Sequence, residues 1–235
     1  MTIAINKEMK KNGIVVNHKR VERIMKKLDL KARPKVKHYV SYEGTVGKIA
    51  PNIINRDFST NFPYQKLGTD VTVFITPYCR LYLSPIIDFN SREIVAYDLS
   101  EHPDFRQINS MFKNLINKRI KLSPGVILHS DQGWQYQMKA YREKLHKLKF
   151  VQSMSRKGNC LDNSPTENFF GRMKEEMFYD KEHLYKNKEE LIKAIKDYIS
   201  YYNSERIVTR LKMSPYEYLE NLGLRWYDIK RVKNP

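Results

Sequence analysis

Apolar positions along the chain change period several times, and each change marks an element. Behind Asn17, which is suited to cap a helix, Val21, Ile24, Met25 and Leu28 recur at helical spacing; another helix is predicted ahead of the turn Asn12-Gly13-Ile14-Val15-Val16. Periodicity is lost from Lys31 to Gln65, where Pro34, Gly44, Gly47, Pro51 and Pro63 interrupt the pattern, so this stretch reads as a basic, partly extended linker. Alternation begins at Gly68: Val71, Val73 and Ile75 fall on one face of a strand, Asp70, Thr72 and Phe74 on the other. Leu81 to Asp88 and Glu93 to Asp98 continue as strands joined through Asn90-Ser91, a three-strand meander. Helical spacing returns with Phe105, Ile108, Phe112, Leu115 and Ile116. The run Val126-Ile127-Leu128 reads as a buried strand ending in the polar turn His129-Ser130-Asp131-Gln132-Gly133. A helix with Met138, Tyr141, Leu145 and Leu148 on one face follows, then the strand Phe150-Val151-Gln152-Ser153-Met154. After the polar loop from Ser155 to Asn163, Ser164 is placed as a helix N-cap and Pro165 at the first helical position, with Phe169, Met173 and Met177 as core stripe. Leu191, Ile195, Tyr198 and Tyr202 share one face of a later helix, and Ser214 opens a last short one.

The resulting order, three strands and then helices alternating with strands, predicts an α/β fold that is not the doubly wound nucleotide type, which would begin with βαβ units. No glycine-rich phosphate loop is present, which argues against nucleoside triphosphate use.

Charge narrows the class of partner. Forty-three Lys and Arg against 26 Asp and Glu give a net charge of +17 over 235 residues. Such an excess points to a polyanion, because each phosphate neutralised releases condensed counterions; a generic basic protein or a membrane-surface binder is the alternative. The apolar runs are far shorter than the roughly 20 residues of a membrane span, and no signal-peptide core follows Met1. A cytoplasmic protein without membrane association is therefore expected. Cys79 and Cys160 support neither a disulfide framework nor a Cys-rich zinc site.

Three acids stand out by position. Asp70 lies inside a strand, where Asp is poorly suited and a buried, unpaired carboxylate is costly; it calls for a cation or a salt-bridge partner. Asp131 follows a strand's carboxyl end, and Glu167 falls in a helix's first turn. Ser164-Pro165-Thr166-Glu167 is also a capping-box pattern, in which the Glu would only reach back to the helix's first amide, and Ser214-Pro215-Tyr216-Glu217 repeats it. Phe170, Gly171 and Lys174 share the Glu167 face at i+3, i+4 and i+7. Asp88 and Asp98 read as turn or edge residues. Three carboxylates suit hard divalent cations, and two such ions about 3.5–4 Å apart stabilise both the attacking and leaving oxygens of a phosphoryl transfer.

These segments resemble the Asp-Asp-Glu transposases and retroviral-type integrases, and most closely the second-frame transposases of bacterial insertion sequences. The resemblance rests on Thr69-Asp70-Val71-Thr72, on His129-Ser130-Asp131-Gln132-Gly133 with Tyr136, and on Asn163-Ser164-Pro165-Thr166-Glu167-Asn168 with Lys174. The 35 residues between Asp131 and Glu167 match the family's spacing. Asn17-His18-Lys19-Arg20-Val21, Tyr201-Tyr202-Asn203-Ser204-Glu205-Arg206 and Lys212-Met213-Ser214-Pro215 extend the likeness over nearly the whole chain.

The resemblance implies a ribonuclease H-like integrase core, a mixed five-stranded sheet with flanking helices, preceded by a small helix-turn-helix-like segment. It divides the chain into that segment (residues 1–31), the linker (32–62), the core with its carboxyl-terminal helices (63–223) and a basic tail (224–235). It implies metal-dependent cleavage and strand transfer at the ends of a mobile element, with Asp70, Asp131 and Glu167 catalytic and holding two Mg²⁺ ions, or Mn²⁺ in their place. DNA contacts are expected from Lys174, Arg172 and Asn168, from Arg156, Lys157 and Asn159 in the loop before the Glu helix, and from Lys19, Arg20, Arg23 and Lys27 in the amino-terminal segment. For the last four a solvated charged face is the plain alternative, as a connector is for the loop and a passive tether for the linker. Partners implied are DNA at element ends and target, further copies of the chain assembled on it, and an upstream-frame helix-turn-helix protein, all at the nucleoid. Family members usually begin earlier, so the start looks truncated; a DNA-binding remnant without activity and a host nuclease of the same fold are the alternatives.

Overall fold

The structure is a computed structural model and describes residues 1–30, 47–118, 120, 122 and 124–224. Residues 32–46 of the expected linker and all but Leu224 of the expected tail lie outside the described residues.

Helices α1 (Thr2–Met9) and α2 (His18–Lys27) come first, and Asn17 caps α2 by accepting from the Lys19 amide. The α2 stripe is only partly covered: Val21 is buried, whereas Ile24 and Leu28 are exposed. Strands β1 (Lys66–Thr69), β2 (Thr72–Ile75), β3 (Arg80–Asp88) and β4 (Ile94–Ser100) follow, then α3 (Phe105–Asn117), β5 (Ile127–Ser130), α4 (Trp134–Gln137), α5 (Lys139–Lys147) and β6 (Val151–Met154). The chain closes with α6 (Ser164–Met177), α7 (Lys188–Ser204) and α8 (Pro215–Asn221).

β1 and β2 are two halves of one ribbon. Thr69 pairs with Ile86 and Thr72 with Leu83, so the register against β3 continues unbroken across Asp70 and Val71. Two local causes interrupt the ladder there. Asp70 Oδ1 accepts from the Val71 amide at 2.7 Å, diverting a donor from strand pairing, and the register sets Pro85, which has no N–H, opposite Asp70. Counted as ribbons the sheet is five-stranded and mixed, in the order β4, β3, β1/β2, β5, β6, with β1, β5 and β6 parallel and the meander antiparallel.

Helices cover both faces. Phe74, Leu83 and Ile87 pack against Phe169, Met173, Leu191, Ile195 and Tyr202 of α6 and α7. On the other face Leu67, Ile86 and Leu128 meet Ile108, Met111 and Phe112 of α3 and Tyr141 and Leu145 of α5. The predicted α3 stripe needs one change: Ile116 is half exposed and Met111 is fully buried in its stead. Asp88 and Asp98 act as the sequence suggested. Buried Asp88 clamps the hairpin turn by accepting from the Ser91 amide and hydroxyl and the Tyr64 amide, and Asp98 accepts from Ser110.

From residue 47 the stretch ahead of β1 lies on the core as a strap. Ile54 is buried, the Ile53 and Ile54 amides donate to Ser153 Oγ, and Met154 donates its amide to the Pro51 carbonyl. The same Ser153 hydroxyl lies 2.9 Å from His129 Nδ1. Burial pushes the His129 imidazole down to about 4, so it is neutral and joins β5 to β6 by packing and this one bond.

Candidate active site

Three elements bring the three acids to one region. Asp70 sits at the break in the central ribbon, Asp131 directly follows β5, its parallel neighbour, and Glu167 is in the first turn of α6. Even-numbered β1/β2 residues face α6, since Phe74 packs among the α6 and α7 side chains while Leu67 joins the opposite cluster. Gly68 permits the close approach of α6: a Cβ there would stand 2.7 Å from Thr166 Oγ1, beside Glu167. Gly133 likewise lets its amide reach Asp131 Oδ1 at 2.9 Å, in a space where a Cβ would crowd that same oxygen.

All three carboxyls are half-buried, and each is disturbed by its neighbours. Burial raises Asp70 well above the usual carboxylate range, and the charges of Asp131 and Glu167 push it further. Burial also raises Asp131, against the pull of the Gly133 amide. Glu167 is pushed up to about 6 by burial and by Asp131. Among the described residues none of the three makes an ion pair with Lys or Arg, so the salt-bridge alternative for Asp70 has no support there. The nearest cationic influence is Lys174, half-buried about two turns along α6 from Glu167 on the same face. Burial pulls its ammonium down while Asp70 holds it up, and its Nζ lies 5.4 Å from the centre of the Phe74 ring. Tyr136 was not singled out for a role by sequence reasoning, yet its fully buried phenol feels both Asp70 and Asp131. Its place in the stretch after Asp131 was the available signal.

The carboxyls influence one another without forming a closed ligand cage. No group of three His, Cys, Asp or Glu among the described residues is gathered so as to hold a metal ion as it stands.

The capping-box alternative for Glu167 fails here, and with it the expected N-cap. Ser164 is already helical, at φ −54° and ψ −34°, because the tight turn Cys160–Asn163 runs straight into α6; the N-cap is Asn163, with no side-chain cap bond. Ser214-Pro215-Tyr216-Glu217, the same pattern, forms the complete reciprocal box at α8. Ser214→Ala is therefore expected to cost about 1 kcal/mol in chemical denaturation, and Ser164→Ala a few tenths at most. Equal costs would mean that Ser164 caps α6 after all.

Comparison with known proteins gives the family. Residues 61–160 and 167–221 each match a family model described as an integrase core domain, and residues 4–38 match an HTH-like domain. An uncharacterized transposase-like protein of Haemophilus influenzae is 50% identical over 206 residues, covering 87% of this chain and 94% of that one. The putative transposase InsK for insertion sequence element IS150 of Escherichia coli is 46% identical over 219 residues, 93% of this chain and 75% of that one. The chain belongs to the integrase-type transposases of insertion sequences. The integrase catalytic core domain of HTLV-2, solved in complex with magnesium, shares the fold at a TM-score of 0.55 and 13% identity, over 68% of this chain and 98% of that one. A simian T-cell lymphotropic virus intasome chain does so at 0.57 and 13%, over 75% and 60%.

The transposase distributes the expected nucleic-acid contacts over several surfaces. Lys174 is beside the acids. Asn168 and Arg172, both exposed, line a separate cleft with Arg92, Arg206 and Arg210. Arg156 is committed to Asp162, while Lys157 is exposed and Asn159 half-buried in the same loop. Lys19, Arg20, Arg23 and Lys27 are all exposed on α2. Arg206 pairs with Glu176 and lies over the Tyr202 ring. Among the described residues no helix is long and apolar enough to cross a membrane.

Proposed function

We propose that this transposase cleaves DNA at the ends of a mobile element and joins the freed ends to a target, using Asp70, Asp131 and Glu167 as the ligands of divalent metal. One observation carries the reading: three carboxyls from separate elements come together, Asp131 disfavouring the charged forms of both Asp70 and Glu167, and none makes an ion pair with Lys or Arg among the described residues. The donor set fits a hard cation. It is all oxygen, and both aspartates keep an oxygen uncommitted, since Asp70 and Asp131 each accept an amide through Oδ1 alone. Bound Mg²⁺ supplies charge neutralisation at the reacting phosphate and lowers the proton affinity of the attacking hydroxyl.

The protein's own groups do the positioning. Lys174 places a positive charge next to Asp70, where a non-bridging phosphate oxygen can be held against it. Buried Tyr136, on one face of the sheet, and the Phe74 ring under Lys174, on the other, give the acids aromatic neighbours on both sides. The reaction class is hydrolysis of a phosphodiester to leave a 3′-hydroxyl, followed by attack of that hydroxyl on a second phosphodiester. Bonds formed equal bonds broken in the second step, so no nucleotide cofactor is required, in keeping with the absence of a phosphate loop. Partners on this reading are the element ends, the target DNA and further copies of the chain.

The test is incubation of the purified protein with a duplex carrying the element's terminal sequence. Nicking at one defined phosphate is expected with Mg²⁺ or Mn²⁺ and none with chelator. Metal-dependent nicking indifferent to the terminal sequence would instead indicate a nuclease of the same fold.

A further inference from the structure

Beside α6, away from the acids, a cleft of about 280 Å³ gathers four arginines from three separate parts of the chain. Arg92 comes from the β3–β4 hairpin, Arg172 from α6, and Arg206 and Arg210 from the segment after α7; buried Tyr202 is part of the lining and the amino end of α6 is one wall. Arg206 is neutralised by Glu176. Among the described residues the guanidinium groups of Arg92, Arg172 and Arg210 make neither a hydrogen bond nor an ion pair. Arg172 and Arg210 are exposed and open to solvent, whereas half-buried Arg92 lacks an acceptor, and the three share one concavity.

Arg92 is the least expected of them. Its backbone is left-handed, at φ 63°, where a side chain with a Cβ is strained, and the turn is locked there by the buried Asp88 clamp. Its side chain is half-buried and is disfavoured as a cation by that burial and by the neighbouring charge of Arg210. A strained, crowded cation without an acceptor is costly to keep, and an anion in the cleft removes the cost. The wall adds to this: α6 begins without a side-chain cap, and the amino end of a 14-residue helix is electropositive.

We propose that this cleft binds a phosphodiester of the DNA backbone that flanks, and is distinct from, the phosphate undergoing reaction. The inference rests on the DNA-processing reading above and adds to it a second grip on the substrate. At 100° per residue, Arg172 lies about 140° around α6 from Glu167, and Lys174 about 20° from it. A strand engaging both sites therefore bends around the amino end of α6, with Lys174 on the reacting side and the arginine cleft on the other. The fork of Arg, which matches two phosphate oxygens, suits the cleft better than Lys.

The experiment is fluorescence anisotropy of the full chain on a labelled duplex bearing the terminal sequence, at a series of salt concentrations, for wild type, Arg92→Gln, Arg210→Gln and the double variant. The double variant is expected to bind roughly tenfold more weakly, with the slope of log K against log salt reduced by about 1 for each arginine lost. Duplexes with a neutral methylphosphonate at successive positions add a second readout: one linkage should weaken wild type several-fold and leave the double variant indifferent. Exposed Arg210 carries the test alone should Arg92→Gln lower the melting temperature. Wild-type affinity and slope in the variants would overturn the cleft and leave the transposase reading intact. Failure of the wild-type chain to bind the duplex at any salt would overturn both.

Discussion

Glu167→Gln is expected to abolish metal-dependent cleavage of an end-containing duplex while leaving the affinity for that duplex within a few-fold of wild type. The substitution keeps the side chain's shape and removes the one charge that α6 brings to the acids. Loss of a metal ligand at a phosphoryl-transfer site removes several kcal/mol of stabilisation in the transition state, which is a fall of at least about 10²- to 10³-fold in rate. Folding should not suffer, because the Glu167 carboxyl is already disfavoured as an anion by burial and by Asp131, and it takes no part in a cap. A thermal-shift series separates the causes. Mg²⁺ should raise the melting temperature of the wild type through preferential binding to the folded state, and have little effect on the variant. Cleavage at the wild-type rate would remove Glu167 from the site, and the three-carboxylate reading would fall with it.

The largest loss of stability is expected from Asp162→Ala. This carboxylate is fully buried and lies one residue ahead of Asn163, the N-cap of α6. It accepts two guanidinium bonds from Arg156 at 2.8 Å, the Arg156 amide at 3.1 Å, Arg56 Nε at 2.9 Å and Asn52 Nδ2 at 3.0 Å. One side chain thus ties the strap at residues 52–56 to the loop that leads into the Glu167 helix. Both arginines are half exposed and regain water when the carboxylate is lost, so the penalty is smaller than for a fully buried pair; about 3 kcal/mol is expected, several degrees in melting temperature. The pH dependence follows from the direction of the shift. Arg156 first, then Arg56, hold the Asp162 carboxyl well below the usual range in the folded protein. Its contribution is therefore complete above the ordinary aspartate value and is lost as pH falls below about 4, where the unfolded chain takes up the proton first. The gap between wild type and variant, measured by denaturation at pH 7 and again in acid, should narrow in that direction. A variant as stable as wild type at pH 7 would show that the strap is held by its hydrogen bonds to β6 and the burial of Ile54 without Asp162.

Much of this molecule is written in short-range pattern. Helical and alternating spacings placed the elements, because a side chain's exposure within a helix or strand depends on neighbours a few positions away. The stripes through Phe169, Met173 and Met177 and through Leu191, Ile195, Tyr198 and Tyr202 face the core as their spacing required. Asp70 and Asp131 were visible because an acid at a strand's interior or end is locally out of place, and the 35-residue interval to Glu167 carried the family match.

Other features depended on which surfaces meet. Two similar cap patterns, at Ser164 and Ser214, differed as sequence only in their surroundings, the two earlier acids, the 35-residue spacing and the Lys174 face; the turn that leads into α6 shows that Ser214 caps its helix and Ser164 does not. Arg156 looked like a ligand for a polyanion, yet packing set it beside a carboxylate of the chain itself, Asp162. Arg92, in a hairpin turn, offered no local sign that it would face Arg172 and Arg210. The sequence by itself determined the order of the elements, their buried faces and the three acids, since those follow from periodicity and spacing. Tertiary structure decided which charged groups are spent on one another and which remain for a substrate, because Coulomb energies depend on separations that only the packed sheet and helices establish.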